Sequence, residues 1–286
     1  KKILSDNSDL IFGPRAIAQR GNGFELQLNS GKDQNILRAN LIYLNSDKEF
    51  DKRYPSYKNI GEQRWGYEIK SSSDLQFGIL NVNWSDSSDL HFFRDIPGES
   101  VNLNLQREEY FEKSISFQGN FKKLSYEMGS TGFESSNPLL TNGYVKKPFF
   151  NLRYKNNLGN LELESFISFS EFSAEKLHDY VGYQIHEGKY LFLIENPPEG
   201  SRLFMNNSLK TKSRYKNFDI EASVGIKSIS YDLKKAEGAT DEINVPNVNI
   251  KVSKDLFKTS NDGVSSLTPI YIFGYSETED QSDNPI

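Results

Sequence analysis

From Phe218 to Lys227 the chain alternates without a break. Phe218, Ile220, Ala222, Val224 and Ile226 fall on one side, and Asp219, Glu221, Ser223, Gly225 and Lys227 on the other. Successive side chains of an extended strand point to opposite faces, so this period of two specifies a strand with one apolar and one polar face. The pattern recurs along most of the chain, and helical periodicity is almost absent. Phe24, Leu26 and Leu28 alternate with Glu25, Gln27 and Asn29; Val101, Leu103 and Leu105 with Asn102, Asn104 and Gln106. Ile115, Phe117 and Phe121 alternate with Ser116, Gln118 and Asn120; Val248, Ile250 and Val252 with Asn249, Lys251 and Ser253. Further strands are expected over 9–19, 36–45, 63–71, 75–84, 123–129, 148–155, 161–170, 202–211 and 268–275, with a short extra one at 189–194. Within 75–84 the phase slips: Leu75, Phe77 and Ile79 share one side, then Leu80, Val82 and Trp84 the other. A bulge is expected there, because one extra residue reverses the facing of all that follow.

Turn chemistry separates the runs at Arg20–Gly23, Asn29–Lys32, Asn156–Asn160 and Ser260–Gly263. Longer polar connections are expected at 46–62, 85–100, 130–147, 171–188 and 234–246. Short turns and long loops thus often alternate. No fixed repeat, low-complexity tract or domain linker interrupts them.

Composition narrows what such strands build. Aromatics reach 13%, with 20 Phe and 15 Tyr, which a disordered chain would lack. The net charge of −5 argues against a nucleic-acid binder. The longest apolar run, Tyr190 to Ile194, is far short of the roughly 20 residues of a membrane-spanning helix. There is no cysteine, hence no disulfide framework and no thiolate metal site. The chain opens on Lys1-Lys2-Ile3 in mid-pattern, with no leader pattern, and reads as an internal piece of a larger protein.

Two architectures alternate in this way. A soluble sandwich buries the apolar face and wets the polar one. A transmembrane barrel turns the apolar face to lipid and the polar face to a wet lumen, and its closure satisfies every backbone group. Three features favour the barrel. Several strands run 9–11 residues or more, enough to cross when tilted. The spacing of roughly 20 residues per strand and loop exceeds the sandwich rhythm. Aromatics gather near strand ends, at Trp65 and Tyr67, Trp84, Phe92 and Phe93, Tyr110 and Phe111, Phe149 and Phe150, and Tyr271, Phe273 and Tyr275, as in an interfacial girdle. The mean hydropathy of −0.63 is compatible, since only half of each strand must be apolar. The expected fold is all-β: an antiparallel up-and-down transmembrane β-barrel, here a partial barrel of about 13–15 strands, with residues 1–286 forming part of a single barrel domain.

Several segments then carry a family resemblance. Leu267-Thr268-Pro269 followed by Tyr271, Phe273 and Tyr275, then Asp280-Gln281-Ser282-Asp283-Asn284-Pro285, resembles the mid-barrel signature of the LPS-assembly outer-membrane protein family LptD. Arg64-Trp65, and Asp89 to Asp95 with Phe92-Phe93 inside, resemble that family's strand and later loop. Phe12-Gly13-Pro14-Arg15, then Arg20-Gly21 and Glu25-Leu26, resemble its second barrel strand and turn. The motifs run in family order from about residue 10 to the end.

The resemblance implies a very large barrel that inserts lipopolysaccharide into the outer leaflet of the Gram-negative outer membrane. This chain would supply roughly strands two to fourteen or fifteen, the N-terminal half. The periplasmic jellyroll, the first strand and the second half of the barrel would lie elsewhere. It also implies a lateral seam beside the second strand, where Pro14 would weaken pairing because proline has no N–H to donate. An ordinary edge-strand or strand-end proline is the alternative. The implied partners are lipopolysaccharide, membrane lipid, an LptE-type plug lipoprotein and, through the absent N-terminal domain, the bridge protein LptA. The lumen-facing candidates are Glu25, Gln27, Asn102, Asn104, Gln106, Ser116, Gln118, Asn120, Asp219, Glu221 and Ser223. They would hydrate the interior, bond to sugars or touch the plug. Plain lumen solvation is the alternative for each.

No catalytic, cofactor or metal site is expected. His178 and His186 share a polar loop with Glu175, Asp179 and Glu187, but without a zinc spacing. The acidic run Glu277, Glu279, Asp280, Asp283 lacks the EF-hand pattern. No serine stands in a recognisable nucleophile motif. Three rivals remain: a porin-like passive channel, a soluble β-sandwich or β-solenoid binding module, and an outer-membrane lipid hydrolase.

Overall fold

The computed structural model describes residues 1–54, 63–96, 110–135, 144–174, 199–234, 242–260 and 263–277. Strands dominate them. In chain order they are β1 (Lys2–Ser5), β2 (Ser8–Ile17), β3 (Gly21–Lys32), β4 (Asn35–Leu44), β5 (Arg64–Leu75), β6 (Gly78–Ser87), β7 (Tyr110–Phe121), β8 (Leu124–Ser135), β9 (Tyr144–Leu158), β10 (Leu161–Ala174), β11 (Glu199–Tyr215), β12 (Phe218–Lys234), β13 (Glu242–Ser253), β14 (Leu256–Ser260), β15 (Gly263–Leu267) and β16 (Ile270–Ser276). Two single helical turns, α1 (Phe50–Arg53) and α2 (Phe92–Asp95), sit in the connections after β4 and β6. A 14-stranded sheet takes β1 to β13 in chain order and ends on β16. It is the up-and-down meander the alternation demands, and its end strands β1 and β16 do not pair with each other among the described residues. The chain divides into two compact units. One holds Lys1–Gly119, Met128–Pro148 and Phe172–Pro197; the other holds Asn120–Glu127, Phe149–Glu171 and Pro198–Ile286.

Register assigns the faces. In the first unit Phe24 lies opposite Pro14 and Tyr43, Leu26 opposite Phe12 and Leu41, and Leu28 opposite Leu10 and Ala39. These rows continue through Trp65, Tyr67 and Ile69 to Trp84. In the second unit Val224 lies between Leu209 and Val248, and Ala222 between Thr211 and Ile250, which faces Phe273. This apolar face stays uncovered: Phe12 is 57% exposed, Val224 52% and Tyr271 75%. A soluble sandwich would have buried it. No helix of the described residues is long and apolar enough to cross a membrane; here strands carry the apolar surface.

Connections alternate as expected. Residues 33–34, 76–77, 122–123, 159–160 and 216–217 make two-residue turns at one end of successive hairpins. The chain between β4 and β5, β6 and β7, and β10 and β11 makes the long ones. Asp33, Lys122, Lys216 and Asn217 take positive φ in these turns, the backbone that matches the twist of tight hairpins.

The structure corrects three details. Residues 75–84 contain no bulge. Leu75 lies opposite Gly78, so Gln76 and Phe77 form a turn and Leu75 shares its face with Leu80, Val82 and Trp84. Asn29–Lys32 is not a turn but the end of β3, paired through Lys32 with Asn35; the reversal comes two residues later. Phe92, Phe93 and Phe111 do not join an interfacial girdle; they are 0–2% exposed in a core cluster with Ile42, Leu44 and Ile96. The expected strand at 189–194 and the Gln281-Ser282-Asp283 motif lie outside the described residues.

Replacing Val224 with Arg is expected to cost about 2–4 kcal/mol of assembly stability if the position lies at mid-bilayer, read from the folded fraction in a urea titration with lipid. Ser223→Arg, on the opposite face, is expected to be tolerated; equal effects at both positions would contradict the facing.

Candidate functional site

In the first unit the described residues that follow β4 and β6, with α1 and α2, pack onto the polar face and are fixed there by one arginine. Arg64 opens β5 and is fully buried. Its Nε and Nη2 donate to the two carboxylate oxygens of Asp89 at 2.8 Å each. Its Nη1 donates to Asp47 Oδ2 at 2.7 Å and to Asp95 Oδ2 at 3.3 Å. The planar guanidinium suits this, since it meets one carboxylate with two parallel bonds and still has donors for others. Its carbon lies 4.4 Å from the centre of the Phe50 ring and 5.6 Å from that of Phe92. These rings come from α1 and α2, so the two helical turns supply the cation–π faces that help compensate its desolvation.

Arg20, in the turn after β2, donates to Asp47 Oδ2 at 2.8 Å. Arg53 reaches Asp95 Oδ1 at 3.3 Å, and the Tyr54 hydroxyl donates to the same oxygen at 3.1 Å. Three aspartates thus face three arginines. That balance matters, because an unmatched buried charge is far costlier than a matched one. His91 stacks on Tyr54, with ring centres 4.0 Å apart and planes 3° from parallel, and its backbone N–H donates to Asp89 Oδ1. Burial holds the His91 imidazolium below its ordinary 6.5, against the opposing pull of Asp89 and Asp95. Burial, then the charge of Asp95, raises the Tyr54 phenol above its usual 10. Gly66 permits the whole packing, since a Cβ there would lie 2.5 Å from the Phe92 ring and 2.7 Å from the Phe93 ring.

Below this clasp the polar face carries paired charges and amides. Arg15 meets Glu25 at 2.8 Å with both side chains buried, and Asn40 donates to Glu68 at 3.1 Å. In the second unit an ion-pair ladder crosses the strands. Lys155 meets Glu162, Lys210 meets Glu164 at 2.9 Å, Lys212 meets Glu221 at 3.1 Å, and Lys251 reaches the other oxygen of Glu221. The amide- and hydroxyl-rich lining read from the sequence therefore includes acid–base pairs that alternation alone does not reveal.

Among the sequence candidates, Glu25 and Gln27 are buried on this face. Ser116 lies opposite Asn81 and Gln118 opposite Ile79, and Asn120 shares their side of β7 by alternation. Asp219 pairs with Arg214 at 3.4 Å, Glu221 bridges two lysines, and Ser223 lies opposite Lys210 and Asn249. Asn102, Asn104 and Gln106, like His178 and His186, lie outside the described residues. Pro14 sits opposite Phe24. β1 pairs with β2 only as far as Leu10, so among the described residues the other edge of β2 is unpaired beside Pro14. Sequence reasoning quoted Arg20, Arg64, Asp89 and Asp95 as motif residues without a role, and missed Asp47 and Phe50. Aromatics set among aspartates in a nominally polar loop were the available signal.

No family model matches the chain. Curated relatives do. LPS-assembly protein LptD of Neisseria meningitidis serogroup B, strain MC58, is 21% identical over 297 aligned residues, covering 99% of this chain and 33% of that protein. LptD of Ralstonia nicotianae GMI1000 is 22% identical over 300, with the same coverages. LptD of N. meningitidis serogroup A, strain Z2491, is 23% identical over 184, covering 62% and 21%. Along nearly its whole length, the chain is similar to LptD. It spans about a third of the length of these LptD relatives. Within residues 12–95 the LptD-like segments named from sequence converge in space: Arg20, Arg64, Asp89 and Asp95 meet in the clasp, and Arg15 and Glu25 pair on the same face. Among solved structures, the outer membrane protein OmpT of Vibrio cholerae, in trimer form, aligns over 98% of this chain and 94% of its own at 9% identity and a TM-score of 0.32, too loose a likeness to carry an argument. The uncovered apolar face and the similarity to LptD place the chain in a Gram-negative outer membrane.

Arg64→Ala would leave three buried aspartates around an empty space and is expected to cost roughly 3–5 kcal/mol. Arg64→Lys keeps the charge but not the paired bonds and should recover only part; urea unfolding checks both. His91 gives a pH signature. The unfolded chain takes up its proton near 6.5, whereas the folded chain resists until lower pH. Stability is therefore expected to fall as pH drops below about 6.5, and His91→Phe, which retains the stack, to flatten that slope.

Proposed function

We propose that this chain is part of an outer-membrane barrel that delivers lipopolysaccharide to the outer leaflet, without catalysing a reaction. The observation that carries the reading is the similarity to LptD across nearly the whole chain, supported by the meeting of Arg20, Arg64, Asp89 and Asp95 in one buried cluster. Amphipathic cargo needs two environments at once. The polar face, with its ion-pair ladder and amides, would line a wet passage for the sugars, and Glu25, Gln27, Ser116, Gln118, Asn120, Asp219, Glu221 and Ser223 would belong to it. The apolar face would meet acyl chains of the bilayer. The clasp at Arg64 would hold two long loops folded over one end of the passage. Pro14 on β2 would lie beside the lateral seam, where a strand that cannot donate at every position separates more readily.

The residues of this chain would form the N-terminal half of one barrel domain, with a jellyroll and the remaining strands supplied by the rest of the protein. An LptE-type plug lipoprotein and the bridge protein LptA would be its partners.

Depleting the full-length protein in its own host tests the reading. Newly made lipopolysaccharide should fail to reach the cell surface, measured with a membrane-impermeant label. Normal surface lipopolysaccharide with a loss of small-solute uptake would instead mark a passive channel. Pro14→Val should slow surface delivery by tightening the seam, and unchanged delivery would remove Pro14 from the mechanism.

A further inference from the structure

The apolar face differs in length from strand to strand. On β3 it consists of Phe24, Leu26 and Leu28, followed by Ser30 and Lys32. On β2 it consists of Leu10, Phe12, Pro14 and the small Ala16, with Ser8 at the turn end. Ser8 and Ser30 lie opposite each other, and their hydroxyls are 2.8 Å apart. On β5 the same face reads Trp65, Tyr67 and Ile69, then Ser71 and Ser73 before Leu75 at the turn; on β4, Leu37 extends the row one step further. At the loop end Asn22 follows, opposite Ala16. Farther along the same face Asp86, opposite Tyr67, and Lys113, opposite Trp84, form an ion pair at 3.2 Å, and Lys113 meets Glu134 at 2.5 Å. Polar groups therefore close the apolar row of β3 at both ends.

Four residue steps from Phe24 to Leu28 span about 13 Å of strand at ~3.3 Å each. The run from Phe218 to Ile226 on β12 has eight steps, about 26 Å, close to the ~25 Å apolar band of outer-membrane barrels. Strand tilt shortens both further. A bilayer meeting a short apolar band thins locally rather than bury serine and lysine in hydrocarbon.

We propose that β2 and β3 form a lipid-contact surface that holds the adjacent bilayer thinner than its ordinary thickness. The occupant is the acyl chain of phospholipid and lipopolysaccharide, and the surface lies beside Pro14. There a lipid moving between passage and leaflet has less hydrocarbon to cross. The inference rests on the reading that the apolar face meets lipid, and it adds where along the sheet the membrane is deformed.

The chain has no cysteine, so a thiol introduced into it is unique within it. The full-length protein, reconstituted in phosphatidylcholine vesicles, would carry an environment-sensitive fluorophore at Ser30→Cys or at Phe218→Cys. Each lies four steps from the centre of its apolar run. Lipids bearing a nitroxide in the headgroup or deep in the acyl chain then report depth. Ser30 should be quenched more by the headgroup nitroxide, and Phe218 more by the acyl-chain one. Acyl-chain quenching at Ser30 equal to that at Phe218 would overturn the proposal, showing that the paired serines sit within hydrocarbon of full thickness. A Val224→Cys probe separates this from failure of the underlying reading, because absence of acyl-chain quenching there would sink both. The Ser8→Leu, Ser30→Leu double variant lengthens the band. It should shift the Lys32→Cys probe toward the acyl nitroxide and slow surface delivery of lipopolysaccharide. If the depth shift occurs and delivery is unchanged, the thinned bilayer stands and its part in delivery falls.

Discussion

Each strand offers two unlike faces, and among the described residues nothing covers the apolar one. Backbone pairing satisfies the polar groups of the sheet, and alternation sorts side chains to either side of it. The short helical turns and folded connections lie on the polar face, leaving Phe12, Val224 and Tyr271 uncovered. In water such a surface drives aggregation; in a bilayer it is solvated. The medium is thus part of the fold, and among the described residues the chain builds its core on the polar face.

That core is small and is organised around charge. Ile42, Leu44, Phe92, Phe93, Ile96 and Phe111 cluster beside the Arg64 clasp. Arg64 is held on one side by Asp89, on another by Asp47 and Asp95, and has the Phe50 and Phe92 rings against it. Replacing these contacts with water would free the two connections after β4 and β6. The arrangement explains why residues far apart in sequence, from Arg20 to Asp95, share one local purpose, and why Gly66 leaves room for no side chain.

Much of this was legible in the sequence. Period-two alternation gives the strands, their facing and the meander, because a strand's two faces are set by its own residues. Positive-φ turns were less legible: Lys122 and Lys216–Asn217 carry no glycine, so no turn motif marked these reversals between the expected strands, and the turn at Gln76–Phe77 read as a bulge. The clasp was hidden for a different reason. Phe92 and Phe93 occur where a girdle aromatic would, and only the return of the loop onto Gly66 decides that they point inward. The ion-pair ladder likewise depends on register, which brings Lys212 opposite Glu221, and no single strand encodes that.

The central assertion is that the even-numbered side chains of Phe218–Lys227 face lipid while the odd-numbered ones face water. Spin labels placed singly along this stretch in the full-length protein in vesicles, relaxed by molecular oxygen or by a water-soluble nickel chelate, test it most directly. The account predicts oxygen maxima at 218, 220, 222, 224 and 226 and chelate maxima at the positions between. Even-numbered sites closed to both reagents would mean a dry protein interior and would contradict it.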